Sequence, residues 1–178
     1  MLINLRILVV KMQFVKIPAE RVKVLMSNAR MLEEKGDIHL SLSNEEGIKI
    51  ESADPIAEWK AINVIKAIGR GFDPYLAANL FSDDYVFHLI NLKDVFSKEK
   101  QRIRIKSRVI GTKGKTRATI EEVSGAYVCI YGNTISFIGK PEEVAIAVEA
   151  ANMIINGVNH GTVYLFLQKE RKKLERQL

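Results

Sequence analysis

The sequence predicts an α+β fold of two tandem units, each with a three-stranded sheet and three helices. The first observation behind this prediction is that strand-like alternation and helix-like periodicity follow one another in the same order in both halves of the chain. The second is a pair of glycines, Gly111 and Gly114, that separates two helical patterns in the second half. The third is composition: 47% of the residues are hydrophobic, enough for packed cores and against global disorder.

The second half contains the clearer copy of this pattern. Its predicted elements are a strand at 85–91, helices at 101–110 and 115–124, strands at 127–131 and 134–138, and a long helix from Pro141. Gly125 can end the second helix, and Gly132 with Asn133 predicts a hairpin turn. The buried stripe predicted for the long helix is Val144, Ala147, Val148, Ala151, Ile154 and Ile155.

The first half repeats the pattern in weaker form. Its predicted elements are a strand at 13–17, helices at 18–26 and 30–35, strands at 38–42 and 48–51 around a turn at 43–47, and a helix at 55–69. The apolar residues of that last helix are Ile56, Trp59, Ile62, Ile65 and Ile68, and we expect Trp59 and Phe72 in the core or between the domains. The connection at 27–30 reads SNAR, without glycine.

Domain boundaries follow from these patterns. We expect a first domain at 12–72, a connector at 73–84 that opens with a helix start at Asp73 and Pro74, a second domain at 85–159, and a charged helical tail at 160–178. The tail reads as a solvated helix or as a contact for RNA or protein. Met12 is interpreted as the natural start, or residues 1–11 as an additional edge strand.

The glycine pair has a chemical interpretation. Residues 108–117 read RVIGTKGKTR, a GXXG loop between two helices, and the order β-α-GXXG-α-β-β-α is that of a type I KH domain. Such a loop clamps the backbone of about four nucleotides, because glycine lets the main chain approach a phosphate and the next helix offers free N–H groups. The predicted RNA-binding residues are Arg104, Lys106, Arg108, Ile110, Gly111, Thr112, Lys113, Gly114, Lys115 and Arg117.

Charge supports a polyanionic partner for the second half. The first 90 residues carry a net charge of −1 and the remainder +7, and residues 93–117 alone carry +8. A basic segment confined to one domain is typical of nucleic-acid binding, although such a run is often only a solvated face. Its continuation into the GXXG loop favours RNA.

Other functional classes find little support in the sequence. His39, His88 and His160 lie in separate elements, Cys129 is the only cysteine, and nucleophile-elbow and Walker patterns are absent. We therefore expect no enzyme activity, no metal site and no cofactor. The apolar run at 5–10 is too short to span a bilayer, which takes roughly 20 residues. The single cysteine fits a reducing cytosol, and we expect a cytoplasmic protein.

Four stretches resemble one family of ribosome-assembly proteins. They read VIKAIGRGFDP at 64–74, NLKD at 91–94, RVIGTKGKTR with TIEE at 108–122, and HGTVY at 160–164. Together they resemble archaeal KH-domain proteins of the Dim-two or Partner of Nob-one family. The resemblance implies two packed KH domains that bind single-stranded small-subunit rRNA near its 3′ end. It also implies a role beside the rRNA-maturing endonuclease and contact with a translation initiation factor.

One departure from the family concerns the first domain. Members often keep a GXXG-like loop there, whereas this chain has Ser27, Asn28, Ala29 and Arg30. We therefore expect this domain to pack on the second one or to hold a protein partner. Two alternatives to the assembly-factor interpretation stay open: a general single-stranded RNA-binding adaptor in RNA processing or decay, and a protein–protein adaptor whose KH folds are scaffolds.

Overall fold

A computed structural model describes residues 13–43, 47–174 and 176. The strands are β1 (Gln13–Val15), β2 (His39–Ser43), β3 (Gly47–Glu51), β4 (Val86–Asn91), β5 (Tyr127–Tyr131) and β6 (Thr134–Gly139). The helices are α1 (Ala19–Ser27), α2 (Ala29–Gly36), α3 (Pro55–Gly69), α4 (Pro74–Ala77), α5 (Leu92–Val95), α6 (Glu99–Ile110), α7 (Lys115–Ser124), α8 (Pro141–Ile155) and α9 (His160–Leu174). The expectations for residues 1–11 and for most of the turn at 43–47 lie outside the described residues.

The predicted fold class is confirmed. The first antiparallel sheet has the strand order β1-β3-β2 and the second has β4-β6-β5, so each domain places its last strand in the middle. The bounds differ from the sequence prediction by one or two residues at most element ends. The predicted helix start at Asp73 is also present, because its carboxylate accepts hydrogen bonds from the backbone N–H groups of Tyr75 and Leu76.

One hydrogen bond recurs at the same place in both domains. Glu33 in α2 accepts the backbone N–H of Leu40 in β2 at 2.7 Å, and Glu121 in α7 accepts that of Val128 in β5 at 2.8 Å. Each glutamate thus satisfies a donor on the outer strand of its sheet, where no neighbouring strand lies among the described residues. The recurrence supports the interpretation of the chain as two related units.

Helix α3 buries only part of the apolar set predicted for it, namely Ile65 and Ile68 with Ile62 partly covered. Its fully buried residues are Ala61, Val64, Ile65, Ala67 and Ile68. Ile56 and Trp59 are 63% and 64% exposed, so the expectation that Trp59 lies in the core or between the domains is wrong. The apolar residues of α3 surround the helix, and only the packing partner decides which of them are covered. Phe72, in contrast, is buried as expected.

The domains meet on the open face of the second sheet. Phe87, Cys129 and Ile138 share that face and pack against the core of the first domain, while Ile135 and Phe137 point into the core of the second. Burial raises the pKa of the Cys129 thiol, as expected for a packing residue. The two domains therefore pack against each other through an apolar interface.

A polar contact borders the same interface. The hydroxyl of Tyr131 in β5 donates a hydrogen bond to the carboxylate of Glu20 in α1. That hydrogen bond lowers the pKa of Glu20 and raises the pKa of Tyr131. Tyr131 therefore faces the first domain.

The C-terminal helix is part of the second domain's core. Val163 and Leu167 of α9 are fully buried in the cluster that contains Ile120 of α7 and Ile154 of α8. The Tyr164 hydroxyl and the Thr116 hydroxyl form a hydrogen bond at 3.0 Å. The tail is thus not simply a solvated helix, since one of its faces completes the packing around α7.

Within the described residues, no helix is long and apolar enough to cross a membrane. The same part of the chain holds no cluster of three or more His, Cys, Asp or Glu side chains that could bind a metal ion.

Gly71 allows us to test how closely the domains pack. It has a φ of +99°, and a Cβ on it would lie 2.9 Å from Sγ of Cys129. Gly157 has a similar φ of +94° but no atom within 4 Å of such a Cβ. We expect Gly157→Ala to cost about 1–2 kcal/mol through backbone strain alone. Gly71→Ala should lower the free energy of unfolding by the same strain and by about 1–3 kcal/mol more, because the added methyl group overpacks against Cys129.

Urea denaturation of both variants measures this difference in the free energy of unfolding. Equal costs would mean that the interface at Cys129 yields without penalty and that the domains are loosely docked.

Candidate nucleic-acid interface

The GXXG loop begins where α6 ends, at a glycine that no other residue can replace without strain. Gly111 has φ +73° and ψ 176°, and a Cβ there would lie 2.2 Å from Oγ1 of Thr116. Both the conformation and the close approach therefore require glycine. The Thr116 hydroxyl is hydrogen-bonded to the Tyr164 hydroxyl, so a residue of α9 helps to set the conformation of the loop.

The next three residues form one short turn that projects side chains into solvent. Thr112 and Lys113 are exposed, and Lys113 adopts the left-handed conformation with a φ of +53°. That conformation is uncommon for a residue with a long side chain and costs free energy. The result is a turn whose backbone is accessible on the side from which α7 begins.

The N-terminus of α7 is free to bind an anion. Gly114 precedes the helix, and no side chain caps its first turn. The backbone N–H of Lys115 donates to the carbonyl of Thr112, so the N–H groups of Thr116 and Arg117 are the candidate donors. These donors and the positive end of the helix dipole favour a negative charge at this position. A phosphate oxygen would accept hydrogen bonds at a helix start that no side chain caps.

The cations around the loop differ in how free they are. Arg104, Lys113 and Lys115 are exposed and form no side-chain hydrogen bond or ion pair with the described residues. Lys106 donates to the carbonyl of Gly132 at 2.7 Å, and Arg117 lies 3.5 Å from the Glu121 carboxylate in a partly exposed ion pair. The first three cations are therefore available to phosphates without breaking an internal contact.

Arg108, one of the residues predicted to contact RNA, makes hydrogen bonds within the protein. Its guanidinium donates to the carbonyl oxygen of Ile154 at 2.8 Å and to that of Val158 at 2.6 Å. It thereby satisfies acceptors at the C-terminal end of α8. Arg21 does the same at the end of α3, where it donates to Ile68 and Phe72. The sequence position of Arg108 beside the loop does not indicate these contacts, which only the tertiary structure reveals.

An apolar strip accompanies the loop. Ile110, the last residue of α6, is 38% exposed, and Ile103, two turns earlier on the same helix, is 51% exposed. Exposed branched side chains next to a phosphate clamp can contact the bases of the clamped nucleotides. Ile110 is among the residues predicted from the sequence and Ile103 is not, although the seven-residue spacing places both on one side of the helix.

The first domain has no corresponding loop. Helix α1 ends at Ser27 and α2 begins at Ala29, so that Asn28 alone connects them. Asn28 donates from its side chain to the carbonyl of Val24, and Ser27 donates to that of Lys23. These contacts tighten the end of α1, and the junction has no glycine-lined turn of accessible backbone.

Comparison with protein families assigns the second half of the chain. The model for the second KH domain of PNO1, described as a eukaryotic type KH-domain (KH-domain type I), matches residues 86–172. The matched segment includes the loop and α9, in agreement with the packing of that helix against α7.

Relatives of known sequence or structure cover nearly all of the chain. A KH domain-containing protein of Methanocaldococcus jannaschii is 39% identical, over 92% of this chain and 76% of its own. The crystal structure of Dim2p from Pyrococcus horikoshii OT3 is 36% identical with a TM-score of 0.80, covering 89% of this chain and 99% of that one. The a/eIF2alpha–aDim2p–rRNA complex from the same organism matches at 36% identity and a TM-score of 0.82, over 92% and 95%.

The role of Arg108 leads to a prediction about stability. Arg108→Ala removes two charge-assisted hydrogen bonds and leaves carbonyls at the end of α8 without their donor, so we expect a loss of about 2–3 kcal/mol. Arg104→Ala, on the same helix but without a partner, should change the free energy of unfolding by no more than about 0.5 kcal/mol. Chemical denaturation of both variants gives the comparison. A stable Arg108→Ala protein would instead return this side chain to the candidates for RNA contact.

Proposed function

Because this chain belongs to the Dim2p/PNO1-type family of KH-domain proteins, we propose that it binds single-stranded small-subunit rRNA near its 3′ end as a non-catalytic assembly factor. The observation that carries the proposal is the uncapped N-terminus of α7 behind the loop of Gly111 and Gly114, with unpaired cations on both sides. Family and site thus point to the same ligand class.

The geometry supports a clamp on the RNA backbone. A phosphate at the start of α7 would accept hydrogen bonds from the N–H groups of Thr116 and Arg117, while Lys113 adds a full charge from the turn before them. Bases adjacent to that phosphate would lie along Ile110 and Ile103 on α6. None of these contacts activates a nucleophile or transfers a proton, so binding and positioning are the proposed activities.

The partners follow from the relatives. The P. horikoshii protein is complexed with a/eIF2alpha and rRNA, and we propose that this chain likewise contacts the α subunit of a translation initiation factor. A place beside the endonuclease that matures the rRNA 3′ end, in the cytoplasm where small subunits are assembled, is part of the same proposal.

A general RNA-binding adaptor in processing or decay is the second candidate. It is favoured by the mode of binding, since a backbone clamp with few base contacts is tolerant of sequence. The two candidates differ in preference: an assembly factor should bind the rRNA 3′-end sequence more tightly than an unrelated single strand of equal length, and an adaptor should not.

Substitution of both central loop residues tests the site. In Thr112→Asp/Lys113→Asp, two carboxylates replace a neutral side chain and a cation where the backbone favours an anion, so RNA affinity should fall well beyond tenfold. The fold should persist, because both side chains are exposed and Asp tolerates the left-handed conformation of residue 113. Fluorescence anisotropy with single-stranded RNA of the small-subunit 3′ end, together with the thermal midpoint, provides the measurement.

A matched control exists in the first domain. Ser27→Asp/Arg30→Asp makes the same change in net charge at the junction of α1 and α2, and we expect a much smaller loss of affinity. Equal losses would mean that RNA responds to overall charge and that the second domain has no special role.

Salt dependence separates the free cations from the structural arginine. Each phosphate neutralised on a single strand contributes a slope of ~0.7 in log affinity against log salt concentration. We expect Lys113→Ala or Lys115→Ala each to reduce the slope by about that amount. Arg108→Ala should leave the slope unchanged at a temperature where the variant stays folded. A slope that responds to Arg108 and not to the two lysines would contradict the proposed site.

A further inference from the structure

A groove lies between the two domains, away from the GXXG loop. It has a volume of about 590 Å³ and is bordered by β1 and α3 of the first domain and by β4 of the second. Strands β1 and β4 each form one edge of their sheet, and β2 and β5 form the opposite edges. The groove is therefore separate from the proposed RNA clamp.

The groove runs along two unpaired strand edges. Residues 13–16 and 87–89 line it consecutively, and since alternate side chains of a strand point to opposite faces, consecutive residues can share only a groove beside the strand. Among the described residues, β1 pairs with β3 alone and β4 with β6 alone. Both edges thus present backbone N–H and C=O groups to whatever enters the groove.

The side chains of the groove are apolar and basic. Phe14, Ile62 and Leu89 offer partly exposed apolar surface. Lys16 and Lys66 are exposed, and neither they nor Arg70 form a side-chain ion pair with the described residues. The lining contains no Asp or Glu, so the local potential is positive although the first half of the chain is slightly acidic overall.

The exposed face of α3 extends this surface beyond the groove. Trp59 and Ile56 lie on the same side of the helix as Lys66 and Arg70, at spacings of three, four and seven residues. A tryptophan that is 64% exposed beside a basic groove is typical of an interface anchor. The apolar end of α3 and the basic end of the groove together describe one elongated binding surface.

We propose that this interdomain groove binds an extended, acidic segment of a partner protein by strand addition to β4 or β1. A peptide matches an open strand edge because it offers alternating donors and acceptors at the strand repeat. Its alternate side chains would place apolar groups against Phe14 and Leu89 and carboxylates against Lys16, Lys66 and Arg70. The proposal does not depend on RNA binding by the loop.

Two other occupants fit less well. A nucleic-acid backbone satisfies the lysines but presents only acceptors at its phosphates, so it cannot complete a strand edge. Residues 1–12 of this chain precede β1, but they contain Arg6 and Lys11 and no acidic residue, so their charge repels a basic groove.

A short synthetic peptide in which Glu alternates with Val tests the proposal. Amide shifts of the ¹⁵N-labelled full chain should change saturably at residues 13–16 and 86–91 on titration. Lys16→Glu/Lys66→Glu, which alters two exposed side chains, should weaken binding by about tenfold or more. The control Lys23→Glu/Arg30→Glu, with the same change in net charge outside the groove, should not.

Two control peptides separate strand addition from charge attraction. A peptide with Lys in place of Glu should not bind, and neither should one in which proline replaces alternate residues and removes the donors. Absence of a saturable shift with the Glu peptide, or equal binding of the proline peptide, would overturn strand addition of an acidic segment.

The remaining outcomes identify the competing occupants. If Lys16→Glu/Lys66→Glu weakens single-stranded RNA binding while the loop is intact, the groove is an RNA site and the proposal is wrong. If the peptide binds only after deletion of residues 1–12, the groove belongs to this chain's own segment. Thr112→Asp/Lys113→Asp should leave peptide binding unchanged, which keeps a failure of this proposal distinct from a failure of the RNA proposal.

Discussion

The guanidinium of Arg108 anchors the helix that leads into the GXXG loop. It connects the last turn of α6 to the end of α8. The backbone carbonyl oxygen of Arg108 forms a hydrogen bond with the imidazole of His160 at the start of α9. Three helices are thereby fixed at the residue that lies three positions before Gly111. The loop itself has few contacts, so its geometry depends on this anchor and on the hydrogen bond between Thr116 and Tyr164.

Backbone strain and a helix start without a side-chain cap occur in the same few residues. Gly111 and Lys113 both have positive φ, and the helix that follows has no capping side chain. A protein that only needed to connect two helices could do so as the first domain does, through Asn28 alone. The second domain uses a costlier turn with positive φ at Gly111 and Lys113, and this strain is the physical argument for a ligand at this position.

The two domains differ in surface chemistry although they share one fold. The second presents free cations and a glycine-lined turn, whereas the first connects its helices through Asn28 alone and uses side-chain hydrogen bonds to tighten the end of α1. The first domain contributes instead the helical surface that covers Cys129, Phe87 and Ile138. By docking there it also brings its edge strand β1 beside β4, so that the interdomain groove exists only because both domains are present.

The sequence by itself determined the fold class, most element bounds and the identity of the loop. Periodicity, turn glycines and capping residues are local signals, and each acts within a few residues of where it is read. The glycines of the loop belong to the same class, since positive φ is a property of the residue and its neighbours. The sequence did not reveal the hydrogen-bond partners of Arg108 or the exposure of Trp59.

Only the tertiary structure decided those roles. Arg108 meets its acceptors nearly 50 positions further along the chain, and charge alone does not distinguish a phosphate contact from a helix cap. Trp59 is exposed because the neighbours of α3 cover its other face, where small residues such as Ala61 allow close packing. The contacts of Arg108 and the exposure of Trp59 both depend on which surfaces pack together. Such packing brings together residues that are distant in sequence, and a local sequence pattern does not encode it.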